Sequence, residues 1–328
     1  MYDLEMGLEF DDVLIKPVQS NVNSRDAVDI SVELSDFLRL EFPLIASPMV
    51  GVVDAIFAHS LACLGGMAIL HRFYLSRQHL FDDIDKYLWK AVDKFGVSVK
   101  VDEENFEEYF EYNPSVILVD TANGYTRKLM NYCDKIKTYI SRNNIQCLLM
   151  SGNVVTKDGC DDLYNAGCDI IRVGLGGGSP CSTRNQTGIG IPNLTAIQYC
   201  AAIDFSKNYK IVIDGGIKNS GDFVKAVVAG AELGMAGKLF AECFEAPNEG
   251  VLYGMGSRTH MENMKSDIKS VEGFDTFITK KHSLAQFVKE FGYGIKSAGT
   301  YLNSKSLDDM YINGHFIRVT DSAIKKGL

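Results

Sequence analysis

Short runs of consecutive apolar residues, many of them β-branched, recur along the chain with amphipathic stretches between them. The runs are Pro43 to Ser47, Met67 to Leu70, Gly96 to Val99, Ser115 to Val119, Cys147 to Met150, Asp169 to Val173, Lys210 to Ile213 and Glu232 to Ala236. Each is short for a helix and apolar at successive positions, the pattern of a strand covered on both faces of a sheet. Helical spacing fills the intervals at Asp54–Cys63, Gln78–Lys94, Arg127–Ser141, Lys157–Ala166, Leu194–Ile203 and Ser220–Ala229. Strand and helix in alternation predict a parallel sheet of class α/β. Eight such units within about 250 residues predict a single (β/α)8 barrel in preference to an open, doubly wound sheet.

A barrel gathers its chemistry at the C-terminal ends of its strands. Just past the eight runs stand Ser47-Pro48-Met49, His71-Arg72, Lys100, Asp120-Thr121, Ser151-Gly152-Asn153, the loop from Gly174, Asp214-Gly215-Gly216 and Gly237-Lys238, nearly all polar, charged or glycine. Glycine turns follow the last three strands, the side of a barrel where phosphate commonly binds. Asp214 has the short acidic reach that suits a ribose diol, and equally that of a turn or helix-capping aspartate.

Composition narrows the classes. The 328 residues are 46% hydrophobic, with apolar runs spread evenly, which predicts one large core. A net charge of -9 disfavours a basic nucleic-acid-binding surface. The opening MYDLEMGLEFDDVLIKP places acids where a signal peptide needs basic and then apolar residues, and no membrane-spanning run occurs. The expectation is a soluble, cytoplasmic protein with reduced thiols and no membrane partner.

The segment Gly174 to Pro192, GLGGGSPCSTRNQTGIGIP, stands apart. Four glycines within five positions let the backbone approach an anion and direct N–H groups at it, with Cys181 and the hydroxyls of Ser182 and Thr183 just beyond. That places a thiol nucleophile beside a phosphorylated ligand. The other seven cysteines, Cys63, Cys133, Cys147, Cys160, Cys168, Cys200 and Cys243, read as small buried hydrophobes. No CxxC pair or Cys/His cluster has zinc-ligand spacing.

This loop, together with GLEFDDVLIKP (Gly7 to Pro17), PLIASPM (Pro43 to Met49), DTANGY (Asp120 to Tyr125), SGNVVT (Ser151 to Thr156), VIDGGI (Val212 to Ile217) and YGMGS (Tyr253 to Ser257), resembles the IMP dehydrogenase and GMP reductase family. The resemblance runs nearly end to end, finishing at GHFIRVT (Gly314 to Thr320). Three features are similar to the reductase branch. The interval from Ala68 to Asp120 leaves no room for the tandem regulatory (CBS) domain inserted in most dehydrogenases of the family. DTANGY and TRNQTGIGIPNLTAI are reductase-like. The 14 residues 258–271 between Ser257 and Glu272 are too few for the long flap whose Arg-Tyr pair activates water in the dehydrogenases.

The resemblance implies NADPH-dependent conversion of GMP to IMP and ammonia, with Cys181 attacking guanine C2 and the Thr183 and Glu272 pair helping ammonia leave. By position alone Glu272 reads as a surface charge. It further implies the 5′-phosphate on Ser179, Gly216 and Gly237, and ribose on Asp214 beside Gly215. Ser47, Tyr253, Gly254, Met255 and Gly256 would frame the nucleotide. Asp120, with Thr121, Ala122 and Asn153, would face the nicotinamide end, and the carbonyls of Gly176, Gly178 and Cys181 would hold potassium. The family forms tetramers, some stacked into octamers, and a tail from Lys296 to Leu328 is expected near a neighbour's cation loop. Residues 250–280 form the expected active-site flap.

Four departures stand out. Lys238 replaces a small residue after the phosphate glycine, Gly256 is the dehydrogenase-like choice, and Lys269 replaces an arginine. In GVSVKVDEEN (Gly96 to Asn105), acids would repel a 2′-phosphate unless Lys100 compensates, which leaves NADH open beside NADPH and a deoxy or modified guanine nucleotide open beside GMP. The alternatives are an IMP dehydrogenase without its regulatory domain, a non-catalytic purine-nucleotide-binding regulator, and a flavin-linked barrel oxidoreductase.

Overall fold

The computed structural model describes residues 4–88, 94–179, 181–201, 208–254, 256–263, 273–320 and 323. Three short strands, β1 (Val13–Ile15), β2 (Val32–Ser35) and β3 (Leu38–Leu40), come first, with β2 and β3 paired antiparallel. All eight apolar runs then form strands: β4 (Leu44–Ala46), β5 (Met67–Leu70), β6 (Phe95–Val99), β7 (Val116–Asp120), β8 (Leu148–Val154), β9 (Ile170–Val173), β10 (Lys210–Asp214) and β11 (Leu233–Ala236). They pair in parallel in chain order, and β11 closes onto β4 with Gly234 opposite Leu44 and Ala236 opposite Ala46. The result is a closed barrel, as the alternation predicts. Every residue of β4, β5, β6, β9 and β11 is buried, because side chains on one face fill the barrel and those on the other meet helices.

The covering helices are α1 (Ala55–Cys63), α2 (Arg77–Tyr87), α3 (Arg127–Arg142), α4 (Lys157–Asn165), α5 (Thr183–Thr187), α6 (Asn193–Ala201), α7 (Ser220–Ala229) and α8 (Lys238–Ala241). Side chains of Asp54, Ser76, Thr126, Thr156 and Asn219 accept N–H groups of the first turns of α1, α2, α3, α4 and α7, which fixes where those helices begin. The helix expected over Gln78–Lys94 ends at Tyr87, and residues 89–93 lie outside the described residues. Between β6 and β7 the connection is a 3-10 helix, Phe106–Tyr112, bracketed by Asn105 and Asn113 in left-handed backbone conformations.

The C-terminal part adds β12 (Val251–Tyr253), α9 (Arg258–Asn263), β13 (Asp275–Phe277), α10 (Leu284–Tyr301), α11 (Leu307–Asn313) and β14 (Phe316–Arg318). Lys296 does not open a separate tail: it lies inside α10, which packs on α7. Gly294 permits that approach, since a Cβ there would fall 2.1 Å from the Ser220 hydroxyl. Phe287 and Phe291 of α10 meet Phe42 edge-on beside the start of β4. Strand β14 returns to pair with β1 of the same chain, and β12 pairs with β13.

Candidate active site

A cavity of about 1410 Å³ opens where the C-terminal ends of the barrel strands converge. Most of the strand-end residues singled out from the sequence meet there, whereas His71, Ser151 and Gly152 are not among the lining residues. Ser47 follows β4, Lys100 follows β6, and Asp120, Thr121 and Ala122 come from the end of β7. Asn153 is the last residue but one of β8, Asp214 ends β10 with Gly215 and Gly216 just beyond it, and Gly237 and Lys238 follow β11. Gly176, Gly178, Ser179, Cys181 and Thr183 line the wall from the loop after β9, and Gly254 and Gly256 line it after β12. Tyr253 pairs with Asp275 in the β12/β13 ladder and is not among the lining residues. Met255, Lys269 and Glu272 lie outside the described residues.

Cys181 is half-buried, its N–H donating to the Gly178 carbonyl at 3.0 Å and its Sγ 3.2 Å from Thr183 Oγ1. Its backbone also forms an isolated antiparallel bridge with Gly273. Of the other thiols, six are buried as expected, whereas Cys63 is exposed at the end of α1, beside His59. Burial pushes the Cys147 and Cys243 thiols up, the latter to about 12, so neither offers a thiolate near neutrality.

Arg172 is the site residue that periodicity hides. It sits in β9, inside the run Asp169 to Val173, and is 7% exposed. Its guanidinium donates to Asp120 Oδ1 at 2.8 Å and Asp214 Oδ2 at 2.7 Å, and Asn153 Nδ2 donates to the same Asp214 oxygen at 2.9 Å. Burial alone would lower the Arg172 pKa, but the Asp214 and Asp120 charges outweigh it and hold the pKa above its ordinary value. The two carboxylates expected to face riboses are therefore joined through one cation. An arginine in an otherwise apolar barrel strand was the available signal.

Pairing also changes the reading of the acidic turn after β6. Glu103 is held by Arg77 at 2.7 Å and Asp102 by Lys128 at 2.7 Å, while Lys100 stays 3.9 Å from Glu103 with its side chain 61% exposed. Glu242 and Lys281 also line the wall and pair at 2.9 Å. Lys238 makes no ion pair among the described residues, where no group of three or more His, Cys, Asp and Glu is placed to hold a metal. No described helix is long and apolar enough to cross a membrane.

Comparison with known proteins agrees with this geometry. The family model described as "IMP dehydrogenase / GMP reductase domain" matches residues 7–328. The chain is 31% identical to a GMP reductase of Shewanella pealeana, covering 97% of this chain and 96% of that one. It is 29% identical to a GMP reductase of Onchocerca volvulus, over 96% and 92% of the two chains. Identity to an inosine-5′-monophosphate dehydrogenase of Borreliella burgdorferi is 28%, over 98% and 96%. A closed eight-stranded barrel with Cys181 beside a glycine turn, matched along nearly its whole length to reductases and dehydrogenases alike, belongs to the IMP dehydrogenase/GMP reductase family of oxidoreductases.

Proposed function

We propose that the protein is a GMP reductase, converting GMP or a closely related guanine nucleotide to IMP and ammonia at the expense of NADPH. The observation that carries the reading is the 3.2 Å approach of the Cys181 thiol to the Thr183 hydroxyl on the wall of the nucleotide-sized cavity. Cys181 Sγ adds to guanine C2. The 2-amino group then leaves as ammonia with a proton relayed through Thr183 and Glu272, which leaves a covalent thioimidate. NADPH, when bound, supplies hydride to C2. Departure of the Cys181 thiolate then completes IMP, the hydride having taken the place of the amino group at C2 and the proton having left with it as ammonia.

Ser179, Gly216, Gly237 and Lys238 take the 5′-phosphate, and Asp214, oriented by Arg172, takes the ribose hydroxyls. Ser47, Gly254, Met255, Gly256 and Lys269 frame the nucleotide. Asp120 meets the nicotinamide ribose. The residues present fit NADPH, because Arg77 neutralises Glu103 and leaves exposed Lys100 for a 2′-phosphate. The carbonyls of Gly176, Gly178 and Cys181 form an all-oxygen donor set that suits potassium. The assembly that goes with this reading is a cytoplasmic homotetramer or stacked octamer.

The test mixes protein, GMP, NADPH and potassium, follows absorbance of the reduced cofactor and assays IMP and ammonia. Equal yields of both products, lost in Cys181→Ala, are expected. Turnover of IMP with NAD⁺ in place of this reaction overturns the reading in favour of a dehydrogenase.

A further inference from the structure

We infer that Glu9, Arg184 and Asn193 form a clamp that sets the position of the Cys181 loop, which makes Glu9, in the N-terminal arm, a positioning residue for the nucleophile. The inference rests on the reading of Cys181 as nucleophile. Arg184 follows Thr183 directly, and its guanidinium spans the loop: Nε donates to the Leu175 carbonyl at 2.8 Å and Nη2 to the Ile191 carbonyl at 2.8 Å. Both ends of the loop are thus tied to one planar group. Nη2 also donates to Asn193 Oδ1 at 3.2 Å, and Nη1 donates to Glu9 Oε1. The other Glu9 oxygen accepts the Asn193 backbone N–H at 2.9 Å.

Asn193 is fully buried and carries the clamp to the ligand side, since its Nδ2 donates to the Gly215 carbonyl at 3.1 Å. One carboxylate therefore links the N-terminal arm, the cysteine loop and the turn after β10. The arm itself is fastened by the Leu8 N–H, which donates to Thr195 Oγ1 at 2.7 Å. Two loop glycines make room for these side chains: a Cβ on Gly176 would fall 2.5 Å from Arg184 Cγ, and one on Gly216 2.3 Å from Asn193 Nδ2. Both have positive φ. Neutral acceptors alone would leave the guanidinium without a counter-charge. Glu9 supplies it, and the fork geometry fixes direction as well as charge.

The experiment uses the full chain with Glu9→Gln, which keeps the side-chain shape and removes the charge. Three quantities are measured: melting temperature, kcat and KM for GMP with NADPH, and carbamidomethylation rates of individual cysteines by iodoacetamide and mass spectrometry. Exposed Cys63 serves as the internal control. A misplaced nucleophile predicts a loss in kcat on the order of 10²-fold with KM changed less than about twofold. It also predicts an altered Cys181 alkylation rate with the Cys63 rate unchanged. Arg184→Ala should lose activity similarly and recover part of it with added methylguanidinium.

Unchanged kcat and unchanged Cys181 alkylation in Glu9→Gln would overturn the clamp. So would faster alkylation of the buried cysteines together with a lowered melting temperature, because that is general loosening. If the wild type does not turn over GMP, the functional reading fails separately, and the alkylation comparison still decides the clamp.

Discussion

Arg172→Met removes the cation between Asp120 and Asp214 while keeping an unbranched chain in the barrel wall. Deleting one partner of a fully buried ion pair costs about 3–5 kcal/mol, because the remaining charge is left uncompensated. Here the carboxylates keep side-chain exposures of 14% and 20%, Arg72 stays 3.5 Å from Asp120, and Asn153 still donates to Asp214. Water and these neighbours recover part of the loss, so the expected destabilisation is about 2–3 kcal/mol. Urea unfolding at fixed protein concentration measures it, in Arg172→Met, Asp214→Asn and the double variant. Because the residues touch, the double variant should be more stable than the sum predicts by at least about 1 kcal/mol. A loss below about 1 kcal/mol in Arg172→Met, with additive singles, would refute the view that this cation is what allows the two acids to share the cavity.

Three further outcomes follow from named contacts. Thr183→Val keeps the volume and removes the hydroxyl 3.2 Å from the thiol, so kcat should fall on the order of 10²-fold while Cys181 alkylation proceeds unchanged. Lys100→Glu should raise KM for NADPH roughly tenfold and leave KM for NADH unaltered, and steady-state kinetics with both cofactors checks it. Glu232 is raised above its ordinary value of 4.5 by burial, with Lys210 at 3.7 Å offsetting only part. The folded state therefore binds its proton more tightly than the unfolded chain does, and stability should decline as pH rises from about 4.5 through the raised folded value. Melting curves of wild type and Glu232→Gln across pH 5 to 8 should show a steeper decline in the wild type, the slope left in the variant coming from groups such as Asp222, whose carboxyl burial also raises.

The eight strands were legible because a buried parallel strand is apolar at consecutive positions, a property written locally in the chain. All eight runs form strands, seven of them within one residue of the expected bounds, while β8 continues four residues past Met150 to Val154. The C-terminal helices α10 and α11 are not legible in the sequence pattern. Glycines interrupt the helical pattern of α10, and what holds it is Phe287 and Phe291 against Phe42, more than 240 positions away in sequence. The acids after β6 were visible, but their partners were not, since Arg77 precedes the strand and Lys128 lies on α3.

The sequence by itself determined the strand and helix order, the glycine-rich cysteine loop and the set of polar strand ends, since each depends on residues close together in the chain. Only the tertiary structure decided which of them act on one another. Glu9 and Arg184 are 175 positions apart, and Asp120 and Asp214 share Arg172 only because closing the barrel brings β7, β9 and β10 around one cavity. Ion pairing depends on distance in space, which closure sets and local pattern does not record.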